Sequence, residues 1–179
     1  MAASRAARAA DKAVEVTGDT AKRQLRAYVR VEQTFMRGVE VGKRPSASIE
    51  IKNTGQTPAR LITTKSGIGI GLPMGPDKVH PEMMPATDIR GFIARDQTLT
   101  HESVAPFDLN EKSVESIRNG SIQLVFFGSI IYEDVFMEKW ELTYKFRNTS
   151  KFSNEKSVLA ICEDGNEERQ YKADETKVG

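Results

Sequence analysis

The segment from Ala47 to Ile62 constrains the fold more than any other part of this 179-residue chain. Its first half alternates apolar and polar residues, with Ala47, Ile49 and Ile51 interleaved with Ser48, Glu50 and Lys52. Because successive side chains of a strand point to opposite faces, this alternation predicts a β-strand with one buried face. A turn-forming stretch, 53–58, then leads into a second apolar run, so we expect two strands joined as a hairpin or as a connection between sheets.

Further segments extend this β interpretation along the chain. The predicted strands are 27–36, 46–52, 59–72, 99–105, 122–127 followed by 130–133, 138–146 and 157–162. The nearly continuous apolar run 122–127 is typical of a central strand covered on both faces, and Gly128 predicts a bend after it. Short strands separated by turns containing Gly, Pro and Asn favour a mainly β fold, an immunoglobulin-like β-sandwich of about seven strands, with a small barrel as the alternative.

Two helices are predicted outside these strands. Residues 1–26 are dominated by Ala, Lys, Arg, Glu and Gln without a proline, which favours one N-terminal helix ahead of the β domain. Ala7, Val14 and Ala21 recur there at seven-residue spacing, although the intervening positions are small or polar. This helix is either a solvated leader or a stalk or oligomerisation helix. A second, short helix is expected after Asn110, which suits an N-cap.

The length and charge of the chain limit its organisation. We assign residues 1–26 to the helix, a candidate juxtamembrane stalk, 27–162 to a β-sandwich domain and 163–179 to a charged tail expected to be disordered. Lys and Arg total 26 against 25 Asp and Glu, so no global field draws the chain to nucleic acid. The longest strongly apolar stretch, 122–131, has about half the residues that a membrane helix needs, so the chain as given is expected to be soluble.

The proline-rich segment 73–96 is predicted to be irregular. Long loops in compact domains are often functional, and this one holds Met74, Met83 and Met84. Flexible thioether side chains adapt to apolar partner surfaces. These three methionines are therefore the candidate partner-binding residues, on a recognition loop over 72–85. The alternative is a loop that simply caps an open end of the sandwich.

The residues that carry chemistry form no recognisable catalytic, cofactor-binding or metal-binding constellation. His80 and His101 fall in different elements and lack the paired spacing of a helical zinc site. No serine lies in a G-x-S-x-G elbow, and the glycine run 67–71 lacks the spacing of a dinucleotide motif. We therefore expect a non-enzymatic protein without a cofactor. The alternative is a hydrolase or other enzyme whose site is not recognisable from the sequence, and His101 beside a serine and a carboxylate in a deep cleft would favour it.

Three segments resemble a group of uncharacterised bacterial proteins: Ala21–Val31 (AKRQLRAYVRV), Ile51–Ala59 (IKNTGQTPA) and Gly128–Phe136 (GSIIYEDVF). Members of that group have an N-terminal membrane helix, a short Ala-rich helix ending in a QLRAYV-like run, and a β-rich domain with an N-x-G-Q-T-P-A motif. This sequence departs from the pattern because it lacks the membrane helix and has Met137 where glycine is expected. The resemblance implies a membrane-anchored protein of the bacterial cell envelope, and it implies no activity.

The residues and the resemblance together predict a non-enzymatic binding or structural module of the bacterial cell envelope. Its partner is expected to be a protein that the sequence does not identify. A nucleic-acid partner is not expected, because the N-terminal helix carries no aromatic side chain for stacking and interleaves its basic residues with acids. Membrane association would come through an N-terminal segment that precedes this sequence in the related proteins.

Overall fold

Two antiparallel β-sheets and two helices make up the regular structure of the protein in this computed structural model, which describes residues 2–72, 91–149 and 157–172. The first sheet contains strands β1 (Val29–Arg37), β2 (Ser46–Asn53), β5 (Thr98–Val104) and β8 (Ser157–Val158), in the order β5-β2-β1-β8. The second sheet contains β3 (Ala59–Gly71), β4 (Gly91–Ile93), β6 (Gln123–Glu133), β7 (Lys139–Arg147), β9 (Ala160–Ile161) and β10 (Glu168–Gln170). Its order is β10-β7-β6-β3-β4, with β9 also paired to β7. The helices are α1 (Ala2–Leu25) and α2 (Glu111–Arg118).

The core lies between the two sheets. Ile49 and Ile51 on β2 are fully buried, as are Phe126 and Ile130 on β6. Tyr144 on β7 packs beside Phe126 with ring centroids 5.4 Å apart. Burial of such side chains is the main favourable contribution to folding. The predicted mainly β, sandwich-like fold with one N-terminal helix is therefore confirmed.

The turn after β2 connects the two sheets rather than closing a hairpin. β2 pairs with β1 and β5 in the first sheet, whereas β3 pairs with β4 and β6 in the second. A similar crossing occurs at Leu159, because β8 pairs with β1 and β9 pairs with β7. The single strand predicted over 157–162 was therefore wrong. Apolar periodicity marks the residues that become buried, but it does not identify the sheet that they join.

Strand β6 is the central strand that its apolar sequence predicted. Leu124, Val125 and Phe126 are fully buried, so both faces of the strand are covered. The bend predicted at Gly128 was wrong, because β6 runs without interruption through this position. Glycine is required there for space, since a Cβ atom would collide with the Lys65 carbonyl oxygen and the Tyr144 hydroxyl group.

The described part of the chain contains ten strands rather than about seven, and three of them are two or three residues long near the C-terminus. Strand β10 continues the second sheet past residue 162, where the β domain was predicted to end. Its residues pair with 140–142 of β7. Glu168, Arg169 and Gln170 are all exposed, so the strand has no apolar period that a sequence could reveal. Residues 173–179 of the predicted tail lie outside the described residues.

The two predicted helices are present. In α2, the Asn110 side chain accepts a hydrogen bond from the Ser113 N–H at 2.8 Å, which confirms the predicted N-cap. In α1, every described side chain from Arg5 to Leu25 is exposed. Among the described residues, no helix is both long and apolar enough to cross a membrane. Helix α1 therefore reaches the β domain without packing a side chain into the core.

Met137 occupies the turn position at which the resemblance led us to expect glycine. Its φ angle is 62°, in the left-handed region that glycine adopts without a steric penalty, and its side chain is 80% exposed. We expect Met137→Gly to stabilise the protein by about 0.5–1 kcal/mol, because it relieves backbone strain and removes little packing. Thermal unfolding followed by circular dichroism provides the measurement.

Asp96 is the matched control for this substitution, since its φ angle is 61° and aspartate tolerates that conformation better than methionine. Asp96→Gly should therefore give a smaller gain. A melting temperature of Met137→Gly at or below that of the wild type would contradict the strain argument.

Candidate functional site

The three segments that carry the resemblance meet where α1 enters the β domain. We call this region the junction and define it by Arg26–Tyr28, Asn53–Ala59, Tyr132–Asp134, Trp140 and Glu168. Backbone and side-chain hydrogen bonds connect these segments, although they are far apart in the sequence. The junction is therefore the part of the molecule that the family-like motifs build.

Asn53 is the centre of the junction. Its side chain is fully buried, and its Oδ1 atom accepts hydrogen bonds from the N–H groups of Tyr28 at 3.3 Å and Gly55 at 3.0 Å. Its Nδ2 atom donates to the carbonyl oxygens of Thr57 at 2.7 Å and Ile93 at 2.9 Å. Both amide donors and two acceptor positions are therefore satisfied. The Asn53 side chain thus forms hydrogen bonds with the residue before β1, with the loop after β2 and with the end of β4.

The loop after β2 lies directly against the end of α1. The Thr54 N–H donates to the Tyr28 carbonyl at 2.7 Å, and the Gln56 N–H donates to the Arg26 carbonyl at 3.3 Å. Between them, Gly55 approaches so closely that a Cβ atom would collide with the backbone of residues 26–28. The glycine of the N-x-G-Q-T-P-A motif is therefore needed for contact between two backbone segments.

Arg26 connects the end of α1 to the second sheet. Its guanidinium carbon lies 4.0 Å from the ring centroid of Tyr28 and 3.6 Å from that of Trp140. Its Nη2 atom donates to Glu168 Oε2 at 2.9 Å, and the Arg26 side chain is 13% exposed. Burial alone would lower the pKa of Arg26, but contact with Tyr28 and the charge of Glu168 raise it overall. The residue therefore stays charged and stacked between two aromatic rings.

The groups around Arg26 are themselves held in place. The Trp140 Nε1–H donates to Asp134 Oδ2 at 3.1 Å. The other carboxylate oxygen of Asp134 accepts from the N–H groups of Phe136 at 2.8 Å and Glu138 at 3.1 Å. Asp134 is thus a turn-forming residue, and it also orients the indole ring. On the other side, the Tyr132 hydroxyl group donates to Glu168.

An open cleft of about 470 Å³ lies beside the junction. Its charged lining combines Lys22, Arg23 and Arg26 with Asp19 and Glu138. Lys22 Nζ lies 3.8 Å from Glu138 Oε1, so part of this charge is already paired. Two polar atoms of Arg26, Nε and Nη1, are buried without a hydrogen-bond partner among the described residues. The mixed charges select neither anions nor cations, and the residues fit the mechanical attachment of α1 better than the binding of a small molecule.

A second polar cluster connects the two sheets. Ser66 Oγ on β3 lies 2.9 Å from His101 Nε2 on β5 and also forms a short hydrogen bond with Ser103 Oγ. Ser66 and Ser103 are buried, and burial lowers the pKa of His101. Within the described ranges, no carboxylate forms a hydrogen bond or an ion pair with His101. Among the described residues the cluster therefore supplies the serine and the histidine that a hydrolase would require but not the carboxylate, and the serine is enclosed between the sheets.

The structure does not describe the other candidate residues that the sequence indicated. Met74, Met83, Met84 and His80 lie outside the described residues. Among the residues that the structure does describe, no group of three or more His, Cys, Asp or Glu side chains could hold a metal ion. The sequence motifs contain the main segments of the junction, but they do not indicate the roles of Arg26 and Asn53. Glu168 carries no sequence signal, because nothing in the local sequence distinguishes this glutamate from other charged residues of the C-terminal segment.

Comparison with known proteins finds similarity among solved structures. No protein-family model matches the chain, and no curated protein matches it. Among solved structures, the chain is similar to a crystal structure of a Bordetella pertussis protein provisionally named ApaA. The two are 13% identical with a TM-score of 0.39, and the match covers 78% of this chain and 98% of the other.

The role of Asn53 can be tested by Asn53→Ala. This change removes four hydrogen bonds and leaves two N–H groups and two carbonyl groups without partners in a buried site. We expect a loss of about 3–4 kcal/mol in the free energy of unfolding, since each unsatisfied buried group costs about 1 kcal/mol or more. Urea denaturation followed by tryptophan fluorescence measures it, with Trp140 as the reporter. The control is Asn119→Ala, because Asn119 is exposed and its side chain bonds only with Ser121 in the described structure. A similar, small loss for both variants would contradict the central role of Asn53.

The lowered pKa of His101 predicts how stability depends on pH. The unfolded chain takes up a proton on this residue near pH 6.5, whereas the folded chain does so at a lower pH. Below about pH 6.5 the unfolded state therefore binds more protons, so stability falls as the pH decreases. We expect His101→Gln to lessen the decline in unfolding free energy between pH 7.5 and 5. His80 is kept in both proteins and acts as the internal control. An unchanged pH dependence would show that His101 titrates alike in the folded and unfolded states.

Proposed function

We propose that this protein is a non-enzymatic binding or structural module of the bacterial cell envelope, with its β domain fixed at the end of a helical stalk. The observation that carries the proposal is the composition of the junction. The segments shared with membrane-anchored bacterial proteins are those that attach α1 to the β domain through Asn53, Gly55 and Arg26. They build a mechanical joint instead of a catalytic centre.

The geometry of α1 supports a stalk. The helix has 24 residues, which corresponds to a length of about 36 Å at 1.5 Å per residue. Its described side chains are exposed along its length, and its C-terminal end is held by the junction. A helix attached in this way sets both the distance and the orientation of the domain that it carries. Anchoring of its N-terminal side in a membrane is the part of the proposal that comes from the resemblance.

We further propose that the β domain is immunoglobulin-like, a fold common among envelope and cell-surface modules. Two packed antiparallel sheets and connections that cross between them are consistent with this class.

The proposed partner is a protein, with Met74, Met83 and Met84 on the recognition loop. Replacement of Met83 and Met84 by serine should abolish partner capture and leave the melting temperature unchanged. Retained capture with a melting temperature lower by several degrees would place the two residues in the core instead.

The alternative of a hydrolase rests on the contact between Ser66 and His101. A nucleophilic serine must be reached by substrate, but Ser66 is only 9% exposed and bonds with Ser103 as well. A fluorophosphonate probe tests this alternative directly. We expect no labelling of the folded protein, and labelling that disappears in Ser66→Ala would establish the hydrolase.

The stalk requires a stiff junction, and spin labels can measure its stiffness. In a Cys162→Ser background, labels at Arg8→Cys on α1 and Glu102→Cys on β5 both lie at exposed positions. We expect a narrow distance distribution by pulsed electron resonance. Arg26→Ala should broaden it, because the stack with Trp140 and the ion pair with Glu168 are lost. Arg30→Ala is the matched control, since Arg30 is exposed and pairs with the neighbouring Glu32. A broad distribution in the unsubstituted background would rule out a rigid stalk.

The cellular part of the proposal is tested with the complete gene in its native bacterium. We expect the protein in the membrane fraction, resistant to salt and carbonate and released by detergent. Recovery in the fraction without membranes would reject envelope anchoring and leave the stiffness of the junction as a separate result.

A further inference from the structure

The charges of α1 are confined to one side of the helix. At 100° per residue, the eight charged residues fall within a sector of about 120°. They are Arg5, Arg8, Asp11, Lys12, Glu15, Asp19, Lys22 and Arg23. The remaining two-thirds of the described circumference carries Ala, Val, Thr, Gly and Leu, with Gln24 as the one larger polar side chain. Helix α1 is therefore amphipathic, although it contributes nothing to the core of its own domain.

The apolar side of α1 has no cover in the described part of the monomer. Val14 is 74% exposed, Val16 is 56% exposed and Leu25 is 48% exposed. The hydroxyl groups on this side are satisfied within the helix, because Thr17 donates to the Ala13 carbonyl and Thr20 to the Val16 carbonyl, both at 2.8 Å. Apart from the amide of Gln24, the side-chain polar groups of this side can therefore be buried without losing a partner. An isolated helix is only marginally stable in water, so a partner would stabilise it.

We propose that α1 pairs with α1 of a second copy of this chain. A seam runs along the middle of the apolar side, with alternating spacings of four and three residues. All of its residues except Gln24 are small: Ala6, Ala10, Ala13, Thr17, Thr20 and Gln24. The charged residues occupy the heptad positions that face away from this seam, except Arg23, which lies beside it. Two such helices therefore meet without burying or opposing like charges. Their short side chains also permit close approach of the two axes.

The size of the contact is sufficient for a specific dimer. A helix about 36 Å long and about 10 Å wide has a lateral surface of about 1,100 Å². If half of that surface is covered in each helix, the pair buries about 1,100 Å² in total, which exceeds the lower limit of about 1,000 Å² for a biological interface. The apolar sector is wider than this contact needs.

A second helix fits this surface better than a lipid bilayer does. Interfacial helices insert Trp, Phe or Leu side chains into the acyl region. Between Arg5 and Gln24, the largest apolar side chains of α1 are Val14 and Val16, and alanine is the commonest residue. Alanine gains little from a lipid environment but favours close helix packing.

Sedimentation equilibrium of the 179-residue chain tests the proposal. Between about 5 and 500 µM we expect the wild type to shift from monomer to dimer, since self-association depends on concentration. The double variant Ala10→Glu/Ala13→Glu places two charges in the seam and keeps good helix formers, so its dissociation constant should rise at least about tenfold. The control Arg8→Ala/Lys12→Ala changes the net charge by the same amount on the outer side and should still dimerise. Circular dichroism verifies that both variants retain the fold.

Three results would overturn the proposal: a wild type that stays monomeric throughout, a seam variant that dimerises like the control, or a monomer that floats with vesicles of phosphatidylglycerol and phosphatidylethanolamine. None of these results depends on the proposed envelope location, because the purified chain is measured without a membrane anchor.

Discussion

The buried amide of Asn53 is the interaction on which the arrangement of the whole molecule depends. It satisfies backbone groups of Tyr28 just before β1, of the loop after β2 and of β4. A buried backbone group without a partner costs as much as a lost hydrogen bond, so these segments can meet only around a side chain with both donors and acceptors. The path of residues 26–28 follows from this, and the position of Arg26 between Tyr28 and Trp140 follows from that path.

The β domain and the junction are held together by different forces. Apolar burial between the sheets stabilises the domain, and three of its eight described strand pairings join strands that are consecutive in the chain. The junction, in contrast, uses polar and aromatic contacts over long sequence separations, such as the bond from Arg26 to Glu168, which lie 142 positions apart. Contacts at such separation cost chain entropy. The bond between Arg26 and Glu168 also depends on the pairing of β10 with β7, because Glu168 lies on β10.

Local patterns predicted the elements whose residues alternate or cap within a short window. The alternation before Asn53, the capping residue Asn110 and the uninterrupted apolar run of β6 each encode their structure locally. The division of 157–162 between two sheets, the space required at Gly128 and the contact between Ser66 and His101 depend on partner strands. No local window contains that information. Glu168 shows the limit most clearly, because its role depends entirely on contacts with Arg26 and Tyr132, which are far from it in the sequence.

The stiffness of the junction and the exposed side of α1 have a joint consequence. If the junction were flexible, pairing of two α1 helices would bring two β domains near each other without fixing how they face. In a stiff junction, with Arg26 in contact with the rings of Trp140 and Tyr28, the helix and the β domain rotate together about the helix axis. The residues that select the contact between helices then also select which surfaces of the two β domains point in the same direction. If both proposals hold, residues of α1 decide how the two β domains face each other although they lie in neither domain.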